Sequence, residues 1–522
     1  MSLVHNRRMS VTLLSLLVSL TAALSSVTAQ NRPQPPEPAG VHDEWVGVYM
    51  SGAKIGFAHS TMSPAVYNGS PATKEVSHSE MKIQLLGQML QENEDSVGFT
   101  DLKGQPLVQT MDVTSNGSKI HLVAHYDYTT RKILCTLGTG PGATNKAIDI
   151  PRNADLAGDS EFATSGRKLS VGLKYDVYTL DPATITLDKI HIEVTGLQEV
   201  VNEFGKKLPT FVTKVTMSVG ETTEWLDKSG NSIKGEMSLG PVKLTMTAES
   251  RQHALNVHFI SPAVDAATSP AYSPSADLAI ATSVRPDRLI DDPRKLRRLQ
   301  AQLQGIPDKR LLISDDRQKE TPVPGGNDSP PYTVNVDLNA ENIDAEHSAL
   351  LPIQNAELSS YLAKAAYLDT DDPNLRKIAL GIRGNEKNTL RIALAIRDWV
   401  HQNMTPDASI GVPRSATDLN GRRRGVCRDY ATLYAALARI AGVPTRLCAG
   451  VVYADLNGTP AFFYHAWAES WVGKWVAVDP TLYDVSLGID YVDATHIKFA
   501  QGDVTQMYDA VSVVGKLKIS IQ

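Results

Sequence analysis

The chain has 522 residues, a length that corresponds to about three domains of ~150 residues each. Its hydrophobic fraction of 42% and charged fraction of 21% exclude a wholly disordered or fibrous protein. With 51 Lys and Arg against 57 Asp and Glu, the net charge is −6, which argues against a nucleic-acid-binding protein because no basic surplus is available for phosphates. Only three cysteines are present, Cys135, Cys427 and Cys448, so a disulfide framework is excluded and at least one thiol needs another explanation.

The first 29 residues have the pattern of a signal peptide. Arg7 and Arg8 form a basic start, residues 11–24 are an apolar run, and residues 27–29 offer small side chains to a signal peptidase. We expect cleavage near Ala29, a proline-rich linker at residues 30–40, and export to the periplasm or the extracellular space. A retained N-terminal anchor is the alternative. No later apolar run reaches the ~18 residues of a spanning helix, so we expect no membrane span after cleavage.

Residues 41–260 have the pattern of a β-rich domain. Short runs in which apolar and polar residues alternate recur at 82–86, 120–124, 190–194, 210–215 and 242–246, with turn signals between them. The period of two predicts a large antiparallel sheet, curved or barrel-like, with one face on a core. His121 and His125 on one such strand would lie ~13 Å apart, so we interpret them as surface residues and not as metal ligands.

The rest of the chain predicts a connector followed by an α+β domain. Residues 261–345 form a proline-punctuated linker and a small connecting module, whose basic cluster at 294–298 we interpret as a solvated surface. In residues 346–522, Asp372 before a proline predicts a helix start, and Asn385 predicts the cap of a second helix.

The candidate chemistry begins at Cys427. This residue follows a glycine and opens a strongly helical pattern that Gly442 and Pro444 end. The free N–H groups and the positive dipole end of a helix start lower a thiol pKa, and they can also stabilise an oxyanion. Four arginines, Arg422, Arg423, Arg424 and Arg428, add positive charge nearby. Cys448, in an apolar run, is instead expected to be a buried and inert thiol.

A base for this thiol follows 38 residues later, at His465. His465 lies in an alternating run that predicts a strand, and the turn signal at residues 472–474 predicts a hairpin with the strand that ends at Asp479. A three-residue loop makes Asp479 the diagonal neighbour of His465 on one face, whereas a two-residue loop would turn it to the other face. With the three-residue loop, His465 can take the thiol proton and Asp479 can orient the imidazole.

Four motifs in this region resemble the transglutaminase-like superfamily, including its exported bacterial members. They are GVCRDYA at residues 425–431, AGVPTR at 441–446, HAWAE at 465–469 and WVAVDPT at 475–481. The resemblance covers roughly residues 370–485. It implies a papain-like α+β core with a Cys-His-Asp triad, in which Cys427 is the nucleophile, His465 the base and Asp479 the orienting carboxylate.

Three functions remain open from the sequence. The first is an exported cysteine hydrolase, a protease or amidase that acts on protein or peptide amide bonds through a thioester on Cys427. The second is a cross-linking transglutaminase, in which an amine replaces water as the acyl acceptor. The third is a non-catalytic β-rich adaptor that carries a relic core, against which the complete triad argues. No phosphate-binding, dinucleotide-binding or metalloprotease motif is present, and we expect no cofactor and no metal.

Overall fold

The computed structural model describes residues 42–139, 143–157, 168–182, 184–217, 220–257, 277–325, 328–341, 344–456, 458–482 and 491–522. They form two compact units, one made of residues 42–83 and 89–257 and the other of residues 84–88 and 277–522. The predicted signal peptide (1–29) and the predicted linker (30–40) lie outside the described residues. Within the described ranges, no helix combines the length and apolar character needed to cross a bilayer.

A single large antiparallel sheet of 14 strands dominates the N-terminal part, as the alternating pattern predicts. The strands are β1 (His42–Met50), β2 (Ala53–Tyr67), β3 (Ser70–Leu85), β4 (Gln88–Thr100), β5 (Pro106–Ser115), β6 (Ser118–Asp127), β7 (Lys132–Leu137), β8 (Thr144–Asp149), β9 (Lys174–Asp181), β10 (Thr186–Val201), β11 (Lys207–Met217), β12 (Gly220–Leu226), β13 (Ser232–Leu239) and β14 (Val242–Ala248). Their order in the sheet is β8-β7-β6-β5-β4-β3-β2-β1-β14-β13-β12-β11-β10-β9. β1 and β14, which are the first and last of these strands along the chain, therefore pair with each other.

The period of two is visible in the burial of these strands. Along β14, Val242, Leu244 and Met246 are buried, while the residues between them are half-buried or exposed. His121 and His125 lie on β6, as predicted, and His121 is hydrogen-bonded to Asp112. One face of this sheet therefore forms an apolar core, and the histidines lie on the other face.

The second unit contains the helices and the remaining strands, so the α+β prediction is confirmed in its broad form. After α1 (Arg251–Ala254) at the end of the large sheet come helices α2 (Leu278–Ala281), α3 (Pro373–Arg383), α4 (Thr389–Asn403), α5 (Ala416–Arg422), α6 (Cys427–Ile440) and α7 (Val504–Met507). The strands are β15 (Arg298–Ile306), β16 (Gln318–Pro322), β17 (Tyr332–Asn339), β18 (Thr405–Pro406), β19 (Arg424–Gly425), β20 (Thr445–Leu456), β21 (Thr459–Trp471), β22 (Trp475–Val478), β23 (Ile497–Gly502) and β24 (Lys518–Ile521). Short 3-10 turns occur at Pro293–Lys295, Lys309–Leu311, Ala356–Tyr361 and Tyr508–Val513.

Two four-stranded sheets organise this unit. One has the order β22-β21-β20-β23, and helix α6 packs on its two central strands. The other has the order β16-β17-β15-β24, so strands from the region predicted as a connecting module share a sheet with the last strand of the chain. Helices α3, α4 and α5 pack on α6, which is buried along nearly its whole length.

Two helix starts show how far local signals predict this unit. Helix α3 begins after Asp372, whose carboxylate accepts the N–H of Asn374 at 2.9 Å, as predicted. The predicted cap of the next helix, Asn385, is wrong. The cap is Asn388, whose side chain accepts the N–H of Arg391 at 3.0 Å.

Candidate active site

Cys427 is the first residue of helix α6 and is completely buried. The residue before it, Val426, is extended, and its N–H donates to the carboxylate of Asp429 at 3.1 Å, which anchors the start of the helix. The same carboxylate binds Arg414 at 2.9 Å. A Cβ at Gly425, two residues before the helix, would lie only 2.2 Å from the Asp429 carboxylate, so a side chain there would displace this anchor. The sequence GVCRD therefore places the thiol at a fixed helix N-terminus.

The arginines around the thiol have partners of their own. Arg424 binds Asp407, with 2.7 Å between Nε and Oδ2, and Arg428 is buried and donates to the carbonyl oxygen of Gly411 at 2.9 Å. Burial alone would lower the pKa of Arg428, but the charge of Asp429, with a smaller contribution from Cys427, raises it. Arg428 thus supplies part of the positive field that the sequence predicts around the thiol.

The loop between β21 and β22 has an odd number of residues, as the predicted contact between His465 and Asp479 requires. Trp471 pairs with Trp475, which leaves residues 472–474 as the loop, and Gly473 within it has a φ of +105°. The predicted register is confirmed. It brings the Asp479 carboxylate to His465, with 2.9 Å between Oδ2 and Nε2.

Asp479 accepts four hydrogen bonds although it is almost fully buried. Oδ2 accepts from Nε2 of His465 at 2.9 Å and from Nε2 of His496 at 3.2 Å. Oδ1 accepts the backbone N–H groups of Thr481 at 2.7 Å and Leu482 at 3.3 Å. Burial alone would raise the pKa of Asp479, but the charge of His465 and the hydrogen bonds of both histidines hold it well below its usual range. The carboxylate is therefore ionised and fixed in orientation.

His465 is completely buried between Asp479 and Cys427. Burial alone would lower its pKa, but the charge and the hydrogen bond of Asp479, followed by the side chain of Cys427, raise the pKa to about 9. Its second ring nitrogen, Nδ1, makes no hydrogen bond of ordinary geometry to the described residues and is the nitrogen left for the thiol. The ring of Trp467 stacks on the imidazole at 6.0 Å between centroids. The arrangement favours the imidazolium form of His465.

His496 is a site residue that sequence reasoning missed. It lies just before β23, is buried, and its Nδ1 is 3.4 Å from Oδ1 of Asp493. Asp493 in turn binds Arg294 at 2.9 Å. The interpretation of the basic cluster at 294–298 as a solvated surface is therefore wrong for Arg294, which compensates a buried carboxylate.

The other two cysteines are buried, as expected for packing residues. Burial raises the pKa of the Cys135 thiol to about 11. Burial also raises the pKa of Cys448, and the nearby charge of Glu469 adds to the effect. Both thiols are held in the protonated, weakly nucleophilic form.

Among the residues that the structure describes, His465, Asp479 and His496 have the spacing of metal ligands, with one ligand atom each and all three atoms within 4.8 Å of one another. Two imidazoles and a carboxylate could hold Zn²⁺. However, the two nitrogen-to-oxygen distances of 2.9 and 3.2 Å are those of hydrogen bonds. Hydrogen bonding accounts for the cluster, and the expectation that no metal or cofactor is needed stays a prediction.

Comparisons with known proteins place this region in a family of similar domains. The family model of the transglutaminase-like superfamily matches residues 376–480. The uncharacterized protein ML0607 of Mycobacterium leprae (strain TN) is 30% identical over 139 residues, which are 24% of this chain and 50% of that protein. The chain thus spans about half the length of this relative.

Solved structures give weaker likenesses. A candidate cysteine protease from Cytophaga hutchinsonii matches with a TM-score of 0.29 and 22% identity, covering 43% of this chain and 81% of that chain. A candidate protease from Parabacteroides distasonis matches with a TM-score of 0.20 and 11% identity, covering 81% and 68%. Both TM-scores are low, so these likenesses carry no weight for the function of this chain.

Proposed function

Because residues 376–480 form a transglutaminase-like domain, we propose that the chain is an exported thiol enzyme that cleaves amide bonds of proteins or peptides through a thioester on Cys427. The observation that supports this most directly is the buried imidazole of His465, which is bound by Asp479 on one nitrogen and influenced by Cys427 in its charge state. The papain-like arrangement of the core is what the family resemblance implies for these residues.

In the proposed first half-reaction, His465 takes the proton of the Cys427 thiol, and the thiolate attacks the carbonyl carbon of the substrate amide. The C–N bond then breaks as the imidazolium gives its proton to the leaving nitrogen. An amine, or ammonia, leaves, and the acyl group stays on Sγ as a thioester. N–H groups of the first turn of α6 are the donors suited to the negative oxygen of the intermediate.

In the second half-reaction, neutral His465 takes a proton from water, and the resulting hydroxide attacks the thioester carbonyl. The C–S bond breaks, the carboxylic acid is released, and the proton returns to the thiolate of Cys427. Asp479 keeps the imidazole oriented through both halves and stays ionised throughout, since its pKa is held well below the usual range. Because Cys427 is buried, a substrate reaches it only when the side chains that cover it move apart.

A degradation assay tests the proposal. The purified chain is incubated with a complex peptide mixture, and mass spectrometry follows new N-termini, ammonia release and incorporation of a fluorescent primary amine. We expect new N-termini or ammonia from the wild type and neither from C427A. Amine incorporation without hydrolysis would replace the proposed hydrolase by a cross-linking enzyme, and no change in any readout would contradict a thiol enzyme.

A matched cysteine variant controls for the loss of a buried thiol. Cys135 is also buried, and it lies on β7 with a pKa raised to about 11. C135A should keep wild-type activity, because this thiol takes no part in the proposed reaction. Loss of activity in both C135A and C427A would indicate damage to the fold, not removal of a nucleophile.

A further inference from the structure

His496 supplies a second imidazole to the carboxylate of Asp479. Its Nε2 lies 3.2 Å from Oδ2, the same oxygen that receives Nε2 of His465 at 2.9 Å. The two imidazole rings meet edge to face, with centroids 5.6 Å apart, and His496 is equally edge-on to Trp467. Its side chain is 2% exposed. A buried histidine in this position costs desolvation and ordering, which ordinary core packing does not require.

His496 is itself held by a chain of charged partners. Its Nδ1 faces Asp493, which accepts the N–H of Thr495 at 2.8 Å and is ion-paired to Arg294 at 2.9 Å. Arg317 donates to the backbone carbonyl of His496. The result is a continuous series that runs from the half-buried Arg294 through the buried Asp493, His496 and Asp479 to His465.

We propose that His496 is a positioning residue for the thiol reaction, which holds the Asp479 carboxylate in the orientation that aims His465 at Cys427. The inference rests on the proposed function, because a carboxylate needs such precise aim only if the imidazole moves protons. Oδ1 of Asp479 is already fixed by two backbone N–H groups. Without His496, His465 would be the one hydrogen-bond donor to Oδ2 among the described residues, and this oxygen would be less restrained than Oδ1.

We expect replacement of His496 to slow the chemical step and to leave substrate binding unchanged. His496 contacts Asp479, His465 and Trp467, so its replacement is expected to disturb the orientation of the imidazole. Misplacement of a catalytic group by about 1 Å can cost on the order of 100-fold in rate. We therefore expect a fall in kcat of about 10- to 100-fold with KM within about twofold of the wild type.

Two amide variants form a matched pair for the test. In H496Q the side-chain amide can occupy the place of Nε2 and donate to Asp479. In H496N the amide occupies the place of Nδ1, so it faces Asp493 and cannot reach Asp479. Both side chains are polar and uncharged, and their size is similar to or smaller than that of histidine. We expect H496Q to recover most of the wild-type kcat and H496N to show the full loss, although both keep a polar group in the cavity.

A stability control separates positioning from folding. Tyr434 on α6 is buried, and its hydroxyl is bonded to Ser470 at 2.7 Å, away from the histidine pair. Y434F should lower the melting temperature without changing kcat. If H496N is no less active than H496Q at equal folded fraction, or if both change only the melting temperature, the positioning role is wrong.

Two further results would overturn the inference in distinguishable ways. If the wild type cleaves no amide and its Cys427 alkylates like an ordinary cysteine, the proposed function fails and the positioning role fails with it. If the wild type is active but loses activity on dialysis against EDTA and regains it with Zn²⁺ alone, the three side chains bind a metal and His496 is a ligand. Activity that is indifferent to EDTA, with the predicted order of wild type, H496Q and H496N, supports the proposal.

Discussion

The charge state of His465 links the local structure to the chemistry. Its imidazole is completely buried, yet its pKa is raised to about 9 because Asp479, with help from Cys427, outweighs the burial that would lower it. An ordinary histidine is mostly neutral at pH 8, whereas the surroundings of this one favour its cationic form. The folded chain therefore stabilises the imidazolium that a thiolate needs as its partner.

A pH dependence of stability follows from this shift. A group whose pKa is raised on folding contributes stability that is fully present below its unfolded value, near 6.5, and is lost as the pH rises through about 9. We expect the free energy of unfolding of the wild type to fall relative to H465Q between pH 6 and pH 9.5, by on the order of 3 kcal/mol. Urea unfolding of both proteins at several pH values measures this difference. Parallel curves across the whole range would contradict the raised pKa.

The sequence could predict some site residues and not others. The proximity of His465 and Asp479 followed from strand alternation and one odd loop, both of which are local. Arg294 and His496 stayed hidden because their contacts with Asp493 and Asp479, respectively, join separate segments of the chain. Arg294 was interpreted as a surface charge because a sequence does not show which polar residues become buried together.

At the scale of elements, strand β20 sets the position of the site, because it lies between β21 and β23. Gly450 on β20 pairs with His465 on one side and with Lys498 on the other, next to a register shift in the pairing with β23. A Cβ at Gly450 would lie 1.9 Å from the carbonyl oxygen of Ile497. Glycine at this position allows β23 to approach closely and so places His496 beside Asp479.

Replacing this glycine should disturb both stability and the site. G450A forces backbone to move, since the contact is with a main-chain oxygen, and overpacking of this kind costs about 1–3 kcal/mol. The matched control is G381A within helix α3, where a Cβ meets nothing and alanine favours the helix by up to about 1 kcal/mol. Thermal unfolding should show a lower melting temperature for G450A and an equal or higher one for G381A. Equal values for G450A and the wild type would contradict the close approach.

At the scale of the whole molecule, sequence periodicity predicted the element types better than their partners. The alternating runs at 82–86, 120–124 and 242–246 all lie in the large sheet, and the thiol lies at a helix start. The pairing of β15 with β24 could not be predicted, because it joins Ala301 to Ile521 across most of the second unit. Short strands of this kind carry no signal for their partner, since any alternating edge offers the same backbone groups.

The central claim is that Cys427 is an activated nucleophile, and alkylation under native conditions tests it most directly. The folded chain is treated with iodoacetamide at pH 7, and mass spectrometry follows Cys135, Cys427 and Cys448 separately. We expect Cys427 to react much faster than Cys135 and Cys448, which are also buried, because the imidazolium of His465 favours ionisation of the neighbouring thiol. H465Q should slow Cys427 alone. A Cys427 that reacts no faster than the two other buried thiols, with or without His465, would contradict the account.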